Sequence, residues 1–238
     1  MYVTAVVLAA GKGLRLKSRI SKPLIKIHSQ PLIIYSLKTL SKHPDIKDII
    51  AVANRQNLED ICRQIKRYRI DKIKDVVLGG RWRQISVANA LRAMDKETDL
   101  VLIHDGVRPF IHKEMVSSAI KAAKIYGAAI VGFPVKATIK EVHNLHQSRA
   151  KSSFIVRKTL NRTNLWEIQT PQVFRKELIL KAYDKFGKIH VTDEAMLVEK
   201  LGVKVRVVKG ACENIKITTP EDLVLAEAIA KKLVTNGY

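Results

Sequence analysis

Gly11-Lys12-Gly13-Leu14-Arg15, followed seven residues after the arginine by Lys22 and Pro23, carries the groups that a polyphosphate needs. Two glycines let backbone N–H groups turn onto an anion, and the cations add charge. The spacing is not G-x-x-x-x-G-K-[ST], nor G-x-G-x-x-G, because position 16 is Leu16. A tight turn would also explain Gly11 and Gly13, but not the cations. A second constellation is His104-Asp105-Gly106-Val107-Arg108-Pro109. Asp105 is a hard oxygen ligand suited to Mg²⁺ beside a triphosphate, and it would equally cap a turn before Gly106. Arg108 could fork onto a phosphate or sit in a surface ion pair. At Gly79-Gly80-Arg81 the glycines would let a flat base approach the backbone, with Ser86 on its edge; a simple turn explains them nearly as well. Donor-rich stretches follow at Asn161 to Trp166, Gln169 to Phe174 and Thr192-Asp193-Glu194, the last also reading as a helix N-terminus. Lys216 stands in an apolar segment predicted to be a strand, where a lysine needs an anionic partner.

Repeated strand-then-helix units must position these groups. Val3 to Ala10 is a short apolar run that reads as a buried strand. Pro31 to Lys42 has helical spacing, Ile49 to Ala53 is a strand, Leu58 to Tyr68 a helix, and Val76 to Leu78 a strand. Ile85 to Met94, Leu100 to His104, Met115 to Tyr126 and Ala128 to Phe133 continue the alternation. Such a pattern predicts an α/β, Rossmann-like, mostly parallel sheet with helices on both faces. Ligands then sit at the carboxyl ends of strands, in the loops after Leu8, Leu78, His104 and Phe133. From Lys136 to Lys158 the chain turns polar, with β-prone pieces at Ala137 to Val142 and Ser153 to Val156. His143, Asn144, His146 and Gln147 form the expected tip of a protruding hairpin arm, which needs a surface to pack on and so implies a homodimer. Helical patterns at Lys176 to Phe186 and Asp193 to Lys200, strands at Val203 to Val208 and Asn214 to Thr218, and a final helix capped by Thr219-Pro220-Glu221-Asp222 complete the reading. Residues 1–238 are expected to be one domain with the arm inserted at 136–158.

The 43 Lys+Arg against 22 Asp+Glu give a net charge of +21 and a pI near 10.1. Nucleic acid is one partner for such a surface. The charges are spread along the chain, however, and only 5% of residues are aromatic, so base-stacking platforms are scarce. Most of the cations, whose densest clusters are Arg63 to Arg69 and Arg81 to Arg83, are expected to be solvated helix faces, with a minority aimed at anionic substrates. Cys62 and Cys212 form neither a disulfide framework nor a metal motif. The N-terminal apolar run is too short for a membrane span, and a cytoplasmic enzyme is expected.

Eight motifs in order resemble one family: L-A-A-G-K-G-L-R, S-K-P-L, H-D-G-V-R-P-F, A-T-I-K, N-R-T-N-L-W, Q-T-P-Q-V-F, V-T-D-E-A and N-I-K-I-T-T-P-E-D-L. The first is the pattern of nucleotidyltransferases that join an NTP to a sugar phosphate. The set is similar to the 2-C-methyl-D-erythritol 4-phosphate cytidylyltransferases from Val3 to Ile229. The ribitol-5-phosphate cytidylyltransferases look similar at three of the segments. The resemblance implies CTP over the first loop, with Ala9, Ala10, Gly11, Gly13, Gly79, Gly80 and Ser86 around it and Mg²⁺ on Asp105. It implies Arg15, Lys22 and Lys216 as catalytic charges. Arg108, Thr170, Thr192 and, from a partner's arm, Thr138 and Arg162 would hold a phosphorylated polyol. Ala137 and Asn161 stand where the family often has Asp.

Overall fold

The computed structural model describes residues 1–11, 20–145 and 153–235. Gly13, Arg15, His146 and Gln147 lie outside them. The chain runs β1 (Val3–Leu8), the short ribbon β2 (Lys26–Ile27) and β3 (Gln30–Pro31), α1 (Leu32–Ser41), β4 (Ile46–Ala53) and α2 (Leu58–Arg67). Next come β5 (Ile73–Leu78), α3 (Arg83–Arg92), β6 (Leu100–Asp105), α4 (Lys113–Tyr126) and β7 (Ala128–Pro134). β8 (Lys140–Leu145), β9 (Ser153–Thr159), β10 (Trp166–Arg175), α5 (Lys176–Phe186), α6 (Ala195–Glu199), β11 (Arg206–Lys209) and α7 (Pro220–Thr235) follow.

Seven strands form the main sheet in the order β11-β7-β10-β6-β1-β4-β5. All of them except β10 run parallel. β1 and β6 are apolar and buried along nearly their whole length, so they take the centre, whereas the half-exposed β5 takes an edge. Helices α1 and α4 pack Ile33, Leu37, Val116 and Ile120 on one face. Helices α3, α5 and α6 pack Val87, Ile179 and Leu197 on the other. α4 ends at Gly127 with φ 86°, a left-handed cap that glycine adopts without steric cost. The predicted α/β fold with two helical layers is therefore present.

Three expectations are corrected. β10 is an antiparallel strand between β6 and β7, in a stretch whose sequence reads as dense in polar donors rather than as a strand. Its middle, Gln169-Thr170-Pro171-Gln172, is buried and polar, so the apolar alternation of a strand is missing. The register shifts between Ile168 and Gln172, and a bulge of this kind tolerates a proline. The segment at 214–218 is not a strand: Ile217 donates one backbone hydrogen bond to Val107, at 3.0 Å, and joins no ladder. β11 is also shorter than the predicted 203–208 strand and starts three residues later.

β8 and β9 form a separate antiparallel ribbon, as the arm required. His143 and Asn144, read as its tip, belong to β8. Val142, Phe154, Ile155 and Val156 are all exposed on the ribbon.

Candidate active site

A cavity of about 610 Å³ opens at the carboxyl ends of β1, β5 and β6, where open α/β sheets take their ligands. Its wall includes Ala9, Ala10, Gly11, Lys22, Gly80, Ser86, Asp105 and Lys216. The turn after β4 fastens the loop that follows β1. The Asn57 amide donates to Ala9 O at 3.0 Å and Ser21 Oγ at 2.8 Å, and Asn54 donates to Ala10 O at 3.1 Å. Both ends of the loop are thus tied to one fully buried asparagine and its neighbour, with Lys22 immediately after the second tie.

At the β5 end, the glycines have a reason other than ligand access. A Cβ on Gly79 would meet Ala10 Cβ at 2.6 Å and Ser86 Oγ at 2.7 Å. A Cβ on Gly80 would meet Ile85 Cγ2 at 2.1 Å. Both glycines serve the close approach of strand and helix, and the protein's own atoms fill that space. Ser86 Oγ accepts from Gly80 N–H at 3.1 Å and donates to Trp82 O at 3.3 Å. Its proton is used locally, leaving one acceptor lone pair.

The charged centre is Asp105, at the end of β6. Lys216 Nζ lies 2.7 Å from Oδ2, Arg83 Nη2 lies 3.4 Å from Oδ1, and Arg108 Nε stands 3.9 Å from Oδ2. Burial would raise this carboxyl, but the charges of Arg83 and Lys216 and the Lys216 hydrogen bond outweigh it. The group stays well below the usual carboxylate range. Arg83 also donates to both oxygens of Glu194, which is fully buried and accepts from Tyr183 Oη at 3.2 Å. Burial works against the Arg83 charge, but Glu194 and Asp105 hold its pKa above the ordinary arginine value. Three cations face two carboxylates here, and Lys22 and Arg81 add positive charge to the cavity wall.

Beneath Asp105 runs a buried polar chain. Asp105 N–H donates to Thr170 Oγ1 at 3.1 Å, Thr170 Oγ1 lies 3.0 Å from His104 Nδ1, and His104 Nε2 lies 3.1 Å from Arg108 O. A carbonyl only accepts, so Nε2 carries the proton and Nδ1 accepts from Thr170. Burial pushes the His104 pKa down to about 4, so the ring is neutral at pH 7. Arg108 is buried and donates from Nη1 to Asn214 O at 2.7 Å, while its Nε lacks a hydrogen bond among the described residues.

The structure therefore separates the predicted acceptor residues. Thr170 is buried and its proton is committed to His104, so it has none to offer a phosphate in this arrangement. Thr192 is exposed, with its hydroxyl 3.1 Å from Met196 Sδ. Thr138 and Arg162 are exposed beside the arm and outside the cavity wall of their own chain, and Arg162 donates to Lys136 O. Asn161, where the family often has Asp, caps its own turn by accepting from Thr163 N at 3.0 Å and Thr163 Oγ1 at 2.8 Å. Sequence reasoning missed Arg83, noted only within the Arg81 to Arg83 cationic cluster, and Glu194, read as part of a helix N-terminus. No local signal marks either one, because each partner lies on a distant element.

A family model described as IspD, 2-C-methyl-D-erythritol 4-phosphate cytidylyltransferase, matches residues 3–232. The chain belongs to this cytidylyltransferase family. It is 43% identical to the enzyme so named from Caldanaerobacter subterraneus over 236 residues, covering 98% of this chain and all of that one. It is 41% identical to the Syntrophus aciditrophicus protein of the same name, covering 97% and 96%. A 4-diphosphocytidyl-2C-methyl-D-erythritol synthase structure from Anaerococcus prevotii superposes with a TM-score of 0.83 at 34% identity, covering 97% of this chain and 96% of that one. The cytidylyltransferase structure from Thermus thermophilus gives 0.74 at 28% identity, covering 97% and 100%. No described helix is long and apolar enough to cross a membrane.

Proposed function

We propose that this cytidylyltransferase joins CTP to 2-C-methyl-D-erythritol 4-phosphate, forming 4-diphosphocytidyl-2-C-methyl-D-erythritol and pyrophosphate. The observation that carries the reading is the cavity at the ends of β1 and β6, where Asp105, Lys216, Arg83 and Lys22 converge in a member of this family. An oxygen of the acceptor phosphate attacks the α-phosphorus of CTP as the bond to the β-phosphate bridging oxygen breaks. Pyrophosphate carries away the electron pair. The protein's part is to hold the groups in line and neutralise charge on the phosphoryl oxygens. Lys22 and Lys216 do so from opposite chain ends, and Arg15, seven residues before Lys22 in the sequence, is assigned the same task. The acceptor is assigned to Arg108, Thr192 and the arm residues Thr138 and Arg162 of a second copy.

Asp105 would hold Mg²⁺ together with triphosphate oxygens. One carboxylate with no cluster of three ligating side chains among the described residues fits an ion held largely by the nucleotide. When bound, the ion supplies charge neutralisation at the phosphates. Lys216 and Arg83 lie 2.7 Å and 3.4 Å from the two carboxylate oxygens, whose remaining lone pairs would be the ones offered to the ion. Two unpaired cysteines and phosphorylated substrates support a cytoplasmic enzyme.

The deciding experiment is pyrophosphate release from CTP with each acceptor separately. Methylerythritol phosphate should be used at least tenfold more efficiently than ribitol 5-phosphate. The reverse preference would overturn the acceptor assignment.

The exposed apolar row on the arm supports a homodimer in which each arm reaches the partner's site. Removing residues 136–158 should give a monomer with turnover reduced by two orders of magnitude or more. A fully active monomer, seen by sedimentation and assay together, would rule out a shared site.

A further inference from the structure

We propose that the Trp82 indole is the stacking platform for the nucleotide base, a role that rests on the CTP reading above. Trp82 caps the N-terminus of α3 in an extended conformation, two residues beyond Gly80. It is 53% exposed yet lines the same cavity as Ala10, Gly80 and Ser86. A lone exposed tryptophan on a surface is unremarkable. This one is braced: Ser86 Oγ holds its carbonyl, the Arg81 guanidinium stands 5.1 Å above the ring, and the His190 ring meets it edge-on at 6.5 Å.

The base also needs such a surface. The space that a Cβ would take at Gly79 and Gly80 is filled by Ala10, Ser86 and Ile85, so the protein's own side chains and not a base occupy it. A base in this cavity therefore lies on the wall, where Trp82 is the aromatic ring among the described residues that line it. Stacking is tolerant of base identity because every base presents a π-face. Trp82 accordingly contributes affinity, while choice among bases falls to the backbone at Gly80 and the remaining lone pair of Ser86.

The chain has two tryptophans, Trp82 and Trp166. In Trp166→Phe, CTP should quench the emission of the remaining indole; in Trp82→Phe, the remaining emission should be insensitive to CTP. Trp82→Ala should raise KM for CTP about tenfold, with kcat within about twofold and an unchanged ratio of CTP to UTP use. Trp82→Phe should recover most of that loss. Unquenched emission in Trp166→Phe at saturating CTP, or an unchanged KM in Trp82→Ala, would overturn the platform. Wild-type protein that releases no pyrophosphate from CTP would instead overturn the functional reading beneath it.

Discussion

Lys22→Ala should lower kcat by roughly 10²–10³-fold and leave KM for CTP within about threefold. Lys22 stands in a short 3-10 turn with Pro23, directly after the point where Asn57 ties Ser21 down. The turn places Lys22 in the cavity wall with Asp105 and Lys216. Ground-state CTP already meets several cations there, so losing one changes binding little. Charge on the phosphoryl oxygens redistributes as the bond to pyrophosphate breaks, and a donor aimed at that charge is worth about 2.7–4 kcal/mol in comparable sites. Steady-state kinetics with CTP varied at saturating acceptor measures both constants. A variant with raised KM and normal kcat would show that Lys22 binds the nucleotide without favouring the transition state.

Asp105→Asn should also cost roughly 10²–10³-fold in kcat, because the carboxylate assigned to the divalent ion is gone. KM for CTP should stay level or fall, since Lys216, held at 2.7 Å by Asp105, becomes available to the triphosphate. A variant with intact kcat would remove Asp105 from the chemistry. Stability supplies an independent readout. The Asp105 carboxyl is depressed in the native protein relative to about 3.9 in the unfolded chain. Its contribution is therefore complete at neutral pH and is lost as pH falls below about 4 toward the depressed native value. At pH 7 the variant should be less stable by about 1–3 kcal/mol, because Arg83, Arg108 and Lys216 keep their charges without their shared anion. Thermal denaturation from pH 7 to pH 3 should show the wild type losing stability more steeply than the variant at the acid end.

The elements that repeat a period were legible from residue order. β1, β6 and α4 announce themselves through runs and spacings that neighbouring residues complete. β10 did not, because it buries Gln169, Thr170 and Gln172 where a central strand would carry apolar side chains. Ala211 O, His104 and Asp193 give each of these side chains a partner, while Gln172 Oε1 has none among the described residues. The same long-range bonding reassigned Thr170, whose hydroxyl reads as a free donor in the sequence and is an internal strut in the fold. It also moved Lys216 out of the predicted strand and onto Asp105.

Residue order alone determined the alternating strands and helices, and hence which loops lie at the carboxyl ends of strands. It also placed the cationic loop after β1 and the carboxylate after β6. Those features depend on backbone geometry and on side chains a few positions apart. Pairing was decided by the tertiary structure. Any of 43 lysines and arginines could neutralise Glu194 by composition, and only the fold that brings the first residue of α3 to the N-terminus of α6 chose Arg83, 111 residues away. Burying a carboxylate without a partner costs several kcal/mol, so the fold and that choice of cation had to be settled together.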